Sequence, residues 1–496
     1  MNIEILGENM KIKTTFLAGI AVLFLVQTIY GQSANVADRQ EVSQYGITWK
    51  FDKPVKSGRF ITGDWWVIGP VNVVSVTPAQ GPAPADDSMN IPKDGFGVSM
   101  LANDNQMRNG SMVLPDGEIM EQGYDSRGLG YDPSTSIKFP YNLDVDRSMI
   151  SSESHKTLPN DNFCHKIMWT KEKKSNSPLK TVAVLTCLTE VPAEDAFRPA
   201  YAGKKTIYRE KDLKYEKLLR LKPVGKEPEW DDFERYFQRV WLDKHSWSFN
   251  GVVPTENQVG YGREGARLGS MAGLLLNLDV PNEKKRNLLI GFVQRGIDLC
   301  GLVESGMIWS ADGGHFSGRK WPILFAGIML DNENMRNIVL TVPFQEDQQT
   351  YYGKGFFGQT VLWQIVHHTG HLPSYEEKSP EKWNAGDKKS EGYRNCCTSN
   401  AWIGTALTVR LMKGVKMWGH NAFFDYCDRW MAKDDPYKKA RGKYERPSGE
   451  GATYDPWVDA MWEAYRKTAP QQEAADKSLN LKWKWFGEAG KWVPNE

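Results

Sequence analysis

The chain has 496 residues, 40 % of them apolar and 25 % charged, enough for two or three domains and too apolar for a disordered chain. Lys and Arg number 62 against 61 Asp and Glu, a formal net charge of +1, which argues against a nucleic-acid partner, whose protein footprint is usually strongly basic. Aromatics are the outlier, at 19 Trp, 19 Tyr and 20 Phe, and all but four of the Trp lie beyond residue 200, so the two halves differ.

Lys11 and Lys13 precede an apolar run from Phe16 to Ile29, followed by Tyr30-Gly31-Gln32. A basic start, a short apolar core and a small residue at the cut read as a secretory signal over 1–31, with a mature start near Gln32 and Met10 as an alternative initiator. The chain is therefore expected to be periplasmic or secreted. A retained membrane anchor is the rival reading. No later stretch is apolar enough to span a bilayer.

Export permits disulfides. Cys164 and Cys187 sit in two strand-like runs and could pair; Cys300 and Cys427 fall on helical patterns. Cys396 and Cys397 are adjacent, so at most one of them easily reaches any given partner. Buried free thiols are the alternative for all six. No Cys/His spacing suggests zinc, and no phosphate cradle, GxSxG, HExxH or calcium loop is present, so neither cofactor nor metal is expected.

Residues 45–200 read as β. Trp65–Ile68, Val71–Val76, 165–170 and 180–190 are apolar or β-branched runs separated by turn-rich pieces, the pattern of a β-sandwich. Residues 201–229 are charged, carry Pro223 and Pro228, and read as a connector. From 230 the period becomes helical: Leu289, Phe292, Val293, Gly296, Ile297 and Cys300 fall on one helix face. Helices are expected near 230–243, 263–277, 284–301, 319–331, 333–341, 357–369, 397–413, 417–432 and 456–467, with no strands threaded through 284–432. Such an array over 230–470 suggests an α/α toroid, followed by a docked tail, 471–496, that carries Trp483, Trp485 and Trp492.

Four loops of the helical half are dense in polar and aromatic residues. In the first, 250–264, Asn257, Tyr261 and Arg263 precede a helix, and Tyr261 lies between two glycines. A Tyr beside an Arg could serve as acid or base. In the second, Trp309–Trp321, His315 follows two glycines, which suit close approach of a ligand, and Arg319 and Lys320 open the next helix. Asp312 could orient His315 or act as an acid. The third, Phe344–Gln359, offers Glu346, Asp347, Gln349, Tyr351 and Tyr352. The fourth, Glu391–Ser399, offers Tyr393, Arg394 and Asn395. Capping and surface charge account equally well for the arginines, and packing is the expected role of His367, His368 and His420. Aromatic faces for stacking, with amides and arginines to read hydroxyls and carboxylates, describe a sugar cleft.

The Asn257/Tyr261/Arg263 loop and the Trp309–Trp321 loop with His315, on a helical scaffold over about 230–470, resemble the secreted bacterial polysaccharide lyases of the α/α-toroid type, such as alginate, heparin and hyaluronan lyases. In many of these the β-sandwich follows the toroid, whereas here the β half leads, as in some toroid glycoside hydrolases and phosphorylases. The resemblance implies β-elimination on a uronate-containing, acidic polysaccharide without a metal. Tyr261 and His315 would move the protons, and Asn257 and Arg263 would neutralise the carboxylate. Trp309, Arg319, Trp321, Gln349, Tyr352 and Arg394 would bind substrate. A glycoside hydrolase pairing Asp312 with Glu346 or Asp347 is the first alternative, and a non-catalytic glycan-binding protein the second.

Overall fold

Alternating burial builds the N-terminal half. The computed structural model describes residues 36–82, 107–114, 121–128, 130–156, 163–167, 177–243, 252–367, 370–371, 375–432, 435, 437, 453–470, 483–486 and 491–494. The expected secretory signal and its cut near Gln32 lie outside the described residues.

Strands β1 (Ala37–Gln44), β2 (Ile47–Arg59), β3 (Trp65–Ile68), β4 (Val71–Thr77), β5 (Ser111–Val113), β6 (Tyr141–Leu143), β7 (Arg147–Ser154) and β8 (Leu179–Leu188) form one eight-stranded sheet, ordered β5-β7-β8-β3-β2-β4-β6 with β1 on β2. The sheet is antiparallel except for the β3–β8 pair. The 13-residue β2 carries β1, β3 and β4, and a register shift at Lys50/Phe51 lets it bend. The sheet therefore curls on itself, and Trp49 of β2 donates from Nε1 to Ser151 Oγ of β7 at 2.9 Å. Along β8 the two faces separate cleanly. Ala183, Leu185 and Cys187 join Trp49, Phe51 and Val73 inside the curl, while Val182 and Val184 face the helices. Thus one curled sheet, rather than two stacked ones, supplies the β half among the described residues. Where the run expected as strand at 165–170 begins, a 3₁₀ turn over Phe163–Lys166 stands instead and seats the Phe163 ring 4.7 Å from that of Tyr236; residues 168–170 lie outside the described residues.

The helical half comprises α1 (Trp230–Gln238), α2 (Gly262–Leu276), α3 (Asn282–Glu304), α4 (Lys320–Met329), α5 (Glu333–Ile338), α6 (Gln345–Gln349), α7 (Ala385–Tyr393), α8 (Ser399–Leu411), α9 (Val415–Trp418), α10 (Asn421–Met431) and α11 (Pro456–Tyr465). The periodic residues of α3 are all buried, as their spacing requires. Helix α3 packs on α1 and α4, and α2 packs on α3 and on the distant α8. No helix among the described residues is long and apolar enough to cross a membrane.

The expected helix over 357–369 is absent. In its place β9 (Thr350–Tyr352) pairs with β10 (Val361–Trp363), and β11 (Val366–His367) with β12 (Gly370–His371). Val361, Leu362 and Trp363 are buried in succession, the signature of a short strand covered on both faces rather than of an amphipathic helix. Strands therefore do interrupt 284–432. Residues 201–229 pack rather than link: Leu213 and Leu218 are buried, and Leu221 bridges to Leu278 after α2. The tail folds as a hairpin of β13 (Trp483–Phe486) and β14 (Lys491–Pro494), whose side chains lie outside the described residues.

The two halves are fastened by Arg198. It is fully buried, donating to Asp64 beside β3 at 2.7 Å and to both carboxylate oxygens of Asp298 on α3 at 2.9 and 2.6 Å. A bidentate, fully desolvated pair of this kind is costly to break from one side.

Candidate active site

Helix α2 begins where Tyr261, in extended backbone at φ −137° and ψ 141°, turns the chain into Gly262. This start abuts the loop before α4. A Cβ on Gly262 would collide with the carbonyl of His315, so only glycine allows the approach. The consequence is a perpendicular contact between Tyr261 and His315, with ring centroids 5.2 Å apart. Asp312 Oδ2 lies 3.9 Å from His315 Nδ1, and both side chains keep some solvent access, at 11 % and 16 %. Tyr393, at the end of α7, packs its ring against Gly313. Contrary to the expectation from sequence, the glycines here do not leave room for a ligand. Protein atoms fill the space: Tyr261 Oη and Cys397 both crowd Gly314.

Burial raises the Tyr261 phenol well above its ordinary range; Arg263 opposes this, and Tyr393, Glu264 and Asp312 reinforce it. Tyr261 is therefore a phenol at neutral pH, fit to donate a proton rather than to accept one. The Arg263 guanidinium lies 5.2 Å from the Tyr261 ring and 5.5 Å from that of Tyr454. It donates to Glu264 Oε1 at 2.7 and 2.5 Å and to the Cys396 carbonyl at 2.7 Å. Its charge is thus compensated within the protein, and it braces Tyr261 from behind.

The His315 loop is held from below by α6, a helix composed wholly of polar residues, all buried. Gln345 accepts from Phe316 N–H at 2.9 Å and donates to Ser317 Oγ at 2.7 Å. Gln348 accepts from Ala311 N–H, and Gln349 donates to the Gly313 carbonyl at 2.8 Å. Glu346 Oε1 accepts from Gly318 N–H at 2.6 Å, while its Oε2 has no partner. Burial pushes the Glu346 carboxyl up to about 7. Asp347 is bound by Lys320 at 2.5 Å and by Trp418 Nε1 at 2.9 Å. Gln349 and Glu346, expected near substrate, instead hold the site's backbone, and Asp347 is taken up by the Lys320 and Trp418 side chains. Sequence offered no sign of this, because the partners of α6 are amides some thirty residues upstream.

The remaining expected residues are engaged inside the protein. Asn257 is buried and donates to the carbonyls of Arg239 and Val240. Trp309 and Trp321 are each 1 % exposed and leave no ring face for a sugar. Arg319 pairs with Asp243 at 3.1 Å and donates to the His315 and Ser317 carbonyls at 2.9 Å. Arg394 is wholly buried against Glu391, Glu376 and Asp435. Tyr352 donates to Asp425 of α10 at 2.6 Å. His420 is buried, its Nε2 2.8 Å from the Thr350 carbonyl, as packing predicts.

Sequence reading also missed a bond. Cys396 and Cys397 are joined to each other, within a five-residue π-turn, Arg394–Thr398, between α7 and α8. Cys187, Cys300 and Cys427 are free and buried; the Cys164 side chain lies outside the described residues.

A cleft lined by Asp64, Arg198, Trp241, Arg295 and Asp298 lies at the junction of sheet and helices, and neither Tyr261 nor His315 lines it. Its charges are paired, Arg198 as above and Arg295 with Asp243 at 2.6 Å. Among the described residues no three His, Cys, Asp or Glu are arranged to hold a metal ion.

What the cluster can do is move protons. A phenol and an imidazole meet at right angles, a carboxylate stands behind the imidazole, and a helix N-terminus adds positive potential. No family model, curated protein or solved structure matches this chain.

Proposed function

We propose that the chain is an exported polysaccharide lyase that cleaves a uronate-containing polymer by β-elimination. His315 takes the C5 proton of the uronate, with Asp312 orienting the imidazole. Tyr261 returns a proton to the departing glycosidic oxygen. The observation that supports this reading is the edge-to-face Tyr261–His315 contact at 5.2 Å, which brings a neutral phenol and an imidazole close enough together to serve one substrate. With Arg263 and Arg319 each held by a protein carboxylate, the developing negative charge falls to the positive end of α2 at Tyr261–Glu264.

Lyase chemistry is favoured over hydrolysis because Glu346 and Asp347, the carboxylates a hydrolase would pair with Asp312, are buried and engaged within the protein. The helices, read as a toroid-type array, are supported by α2 packing on both its neighbour α3 and the distant α8. The Cys396–Cys397 bond supports export, since disulfides persist in oxidising compartments.

The test is product analysis on a panel of uronate polymers. A lyase yields fragments bearing a new conjugated double bond, read by ultraviolet absorbance. Reducing ends without that absorbance would replace the reading with hydrolysis, and binding without cleavage with a glycan-binding role.

A further inference from the structure

The Cys396–Cys397 bond lies against the proton-transfer pair. The Cys396 carbonyl accepts from Arg263 Nη1 at 2.7 Å and from Tyr454 Oη at 3.1 Å. The Cys397 carbonyl and Cβ crowd Gly314, the residue before His315, and the other group on Gly314 is Tyr261 Oη. The cysteine pair thus touches the backing of Tyr261 on one side and the backbone of His315 on the other.

The surrounding backbone makes the bond matter. Residues 394–398 form a π-turn, irregular backbone that has looser hydrogen bonding than the helices it joins. Its first half is anchored, Arg394 and Asn395 both donating to Glu391. Beyond them, the covalent link between neighbouring side chains closes a small ring around the Cys396–Cys397 peptide. Such a ring restricts the backbone torsions of both residues and so fixes where their carbonyls point. Cys396 is half-buried, and Cys187, Cys300 and Cys427 are thiols that hold no bond to reduce, so among the described residues an added reductant acts on the Cys396–Cys397 bond.

We propose that the Cys396–Cys397 disulfide is a redox-sensitive positioning element of the Tyr261–His315 site: it holds the carbonyl that seats Arg263 under Tyr261 and the wall that seats Gly314 beside His315. Its effect on turnover rests on the lyase reading; its effect on the geometry of His315 does not. A water-soluble phosphine reduces the bond, and with one water the products are two thiols and the phosphine oxide.

The experiment compares the full chain oxidised, phosphine-reduced and re-oxidised, together with a Cys396→Ser/Cys397→Ser variant. Three readouts are taken: reactive thiols under native conditions, kinetics on a cleaved uronate polymer, and the NMR titration of the His315 imidazole, assigned with His315→Gln. Reduction is expected to expose two further thiols and lower kcat by roughly tenfold to a hundredfold with KM little changed, as a small misplacement of reacting groups does. It is also expected to move the His315 midpoint, with re-oxidation restoring all three and the serine variant matching the reduced chain. The proposal is overturned if no thiols are gained, or if kcat and the His315 midpoint are unchanged by reduction, or if the serine variant matches the oxidised chain. A reversible shift of His315 in a protein that cleaves no uronate polymer would uphold the positioning role and remove the lyase reading.

Discussion

Two polar clusters stand on the same helical scaffold, and their surroundings set them apart. Around Arg394, Glu391 lies within 2.9 Å, Glu376 within 3.6 Å and Asp435 within 3.7 Å, and all four side chains are essentially without solvent. Arg429 completes the cluster, pairing with Glu376 at 2.6 Å. Asp312 Oδ2 stands 3.9 Å from His315 Nδ1, and both partners keep a solvent-facing edge. In sequence the two segments look alike, each a polar and aromatic stretch ahead of a helix. Their difference is one of desolvation: a saturated, dry ion cluster holds elements together, whereas an imidazole that keeps a solvent-facing edge can exchange protons with a ligand.

The contrast can be broken at its structural pole. Arg394→Met removes the buried cation that faces Glu391, leaves Arg429 alone against Glu376 and Asp435, and should cost about 3–5 kcal/mol, the usual penalty for removing one partner of a buried pair. Chemical denaturation measures it. His315→Ala, at a partly exposed site, should stay within about 1 kcal/mol of the parent. A stable Arg394→Met protein that has lost only activity would reverse the two assignments.

Glu346 sharpens the comparison through pH. Its carboxyl titrates near 7 in the fold against an ordinary 4.5, chiefly because of burial. Between those values the folded chain keeps a proton that the unfolded chain has lost, so stability falls as pH rises across the window. Glu346→Gln keeps an acceptor for Gly318 N–H without a charge. It should match the parent below pH 4.5 and exceed it by up to about 3 kcal/mol above pH 7. His155, in the sheet half, runs the other way. Burial lowers it from 6.5 to about 4, so its contribution is lost as pH falls through that range. Denaturation midpoints of Glu346→Gln and His155→Gln across pH separate the two slopes; equal slopes in both variants would contradict the burial argument.

The smallest expected effect lies in the clamp. Gln345→Ala leaves Phe316 N–H and Ser317 Oγ short of a partner and should destabilise by about 1–3 kcal/mol, while loosening the His315 loop enough to lower turnover. A fully active, fully stable variant would show that α6 does not set the loop.

How much of this was legible in sequence depended on who the partners were. Helix α3 announced itself because its core is an apolar face repeating every three or four residues. The β half was legible as strands, but a curl made by one bent strand leaves no mark in a pattern of alternation. Tyr261 and His315 stood out by their setting, although the glycines beside them admit protein atoms rather than a ligand. Helix α6 reads as loop because its five polar residues are buried by backbone groups and, for Asp347, by Lys320 and Trp418, a need that no hydropathy pattern encodes. The strand at Val361–Trp363 was read as helix because a short apolar run carries no period of its own. The adjacent cysteines were judged as rivals for a third partner, and the bond between them was overlooked.

The central claim is that Tyr261 and His315 together carry proton transfer. Turnover of Tyr261→Phe and His315→Ala on a uronate polymer, followed by the absorbance of the newly formed double bond, tests it most directly. Each variant should retain the parent's fold and lose about 10²–10⁴-fold in kcat, the usual contribution of a general acid or base. Near-parental turnover in both variants would contradict the account.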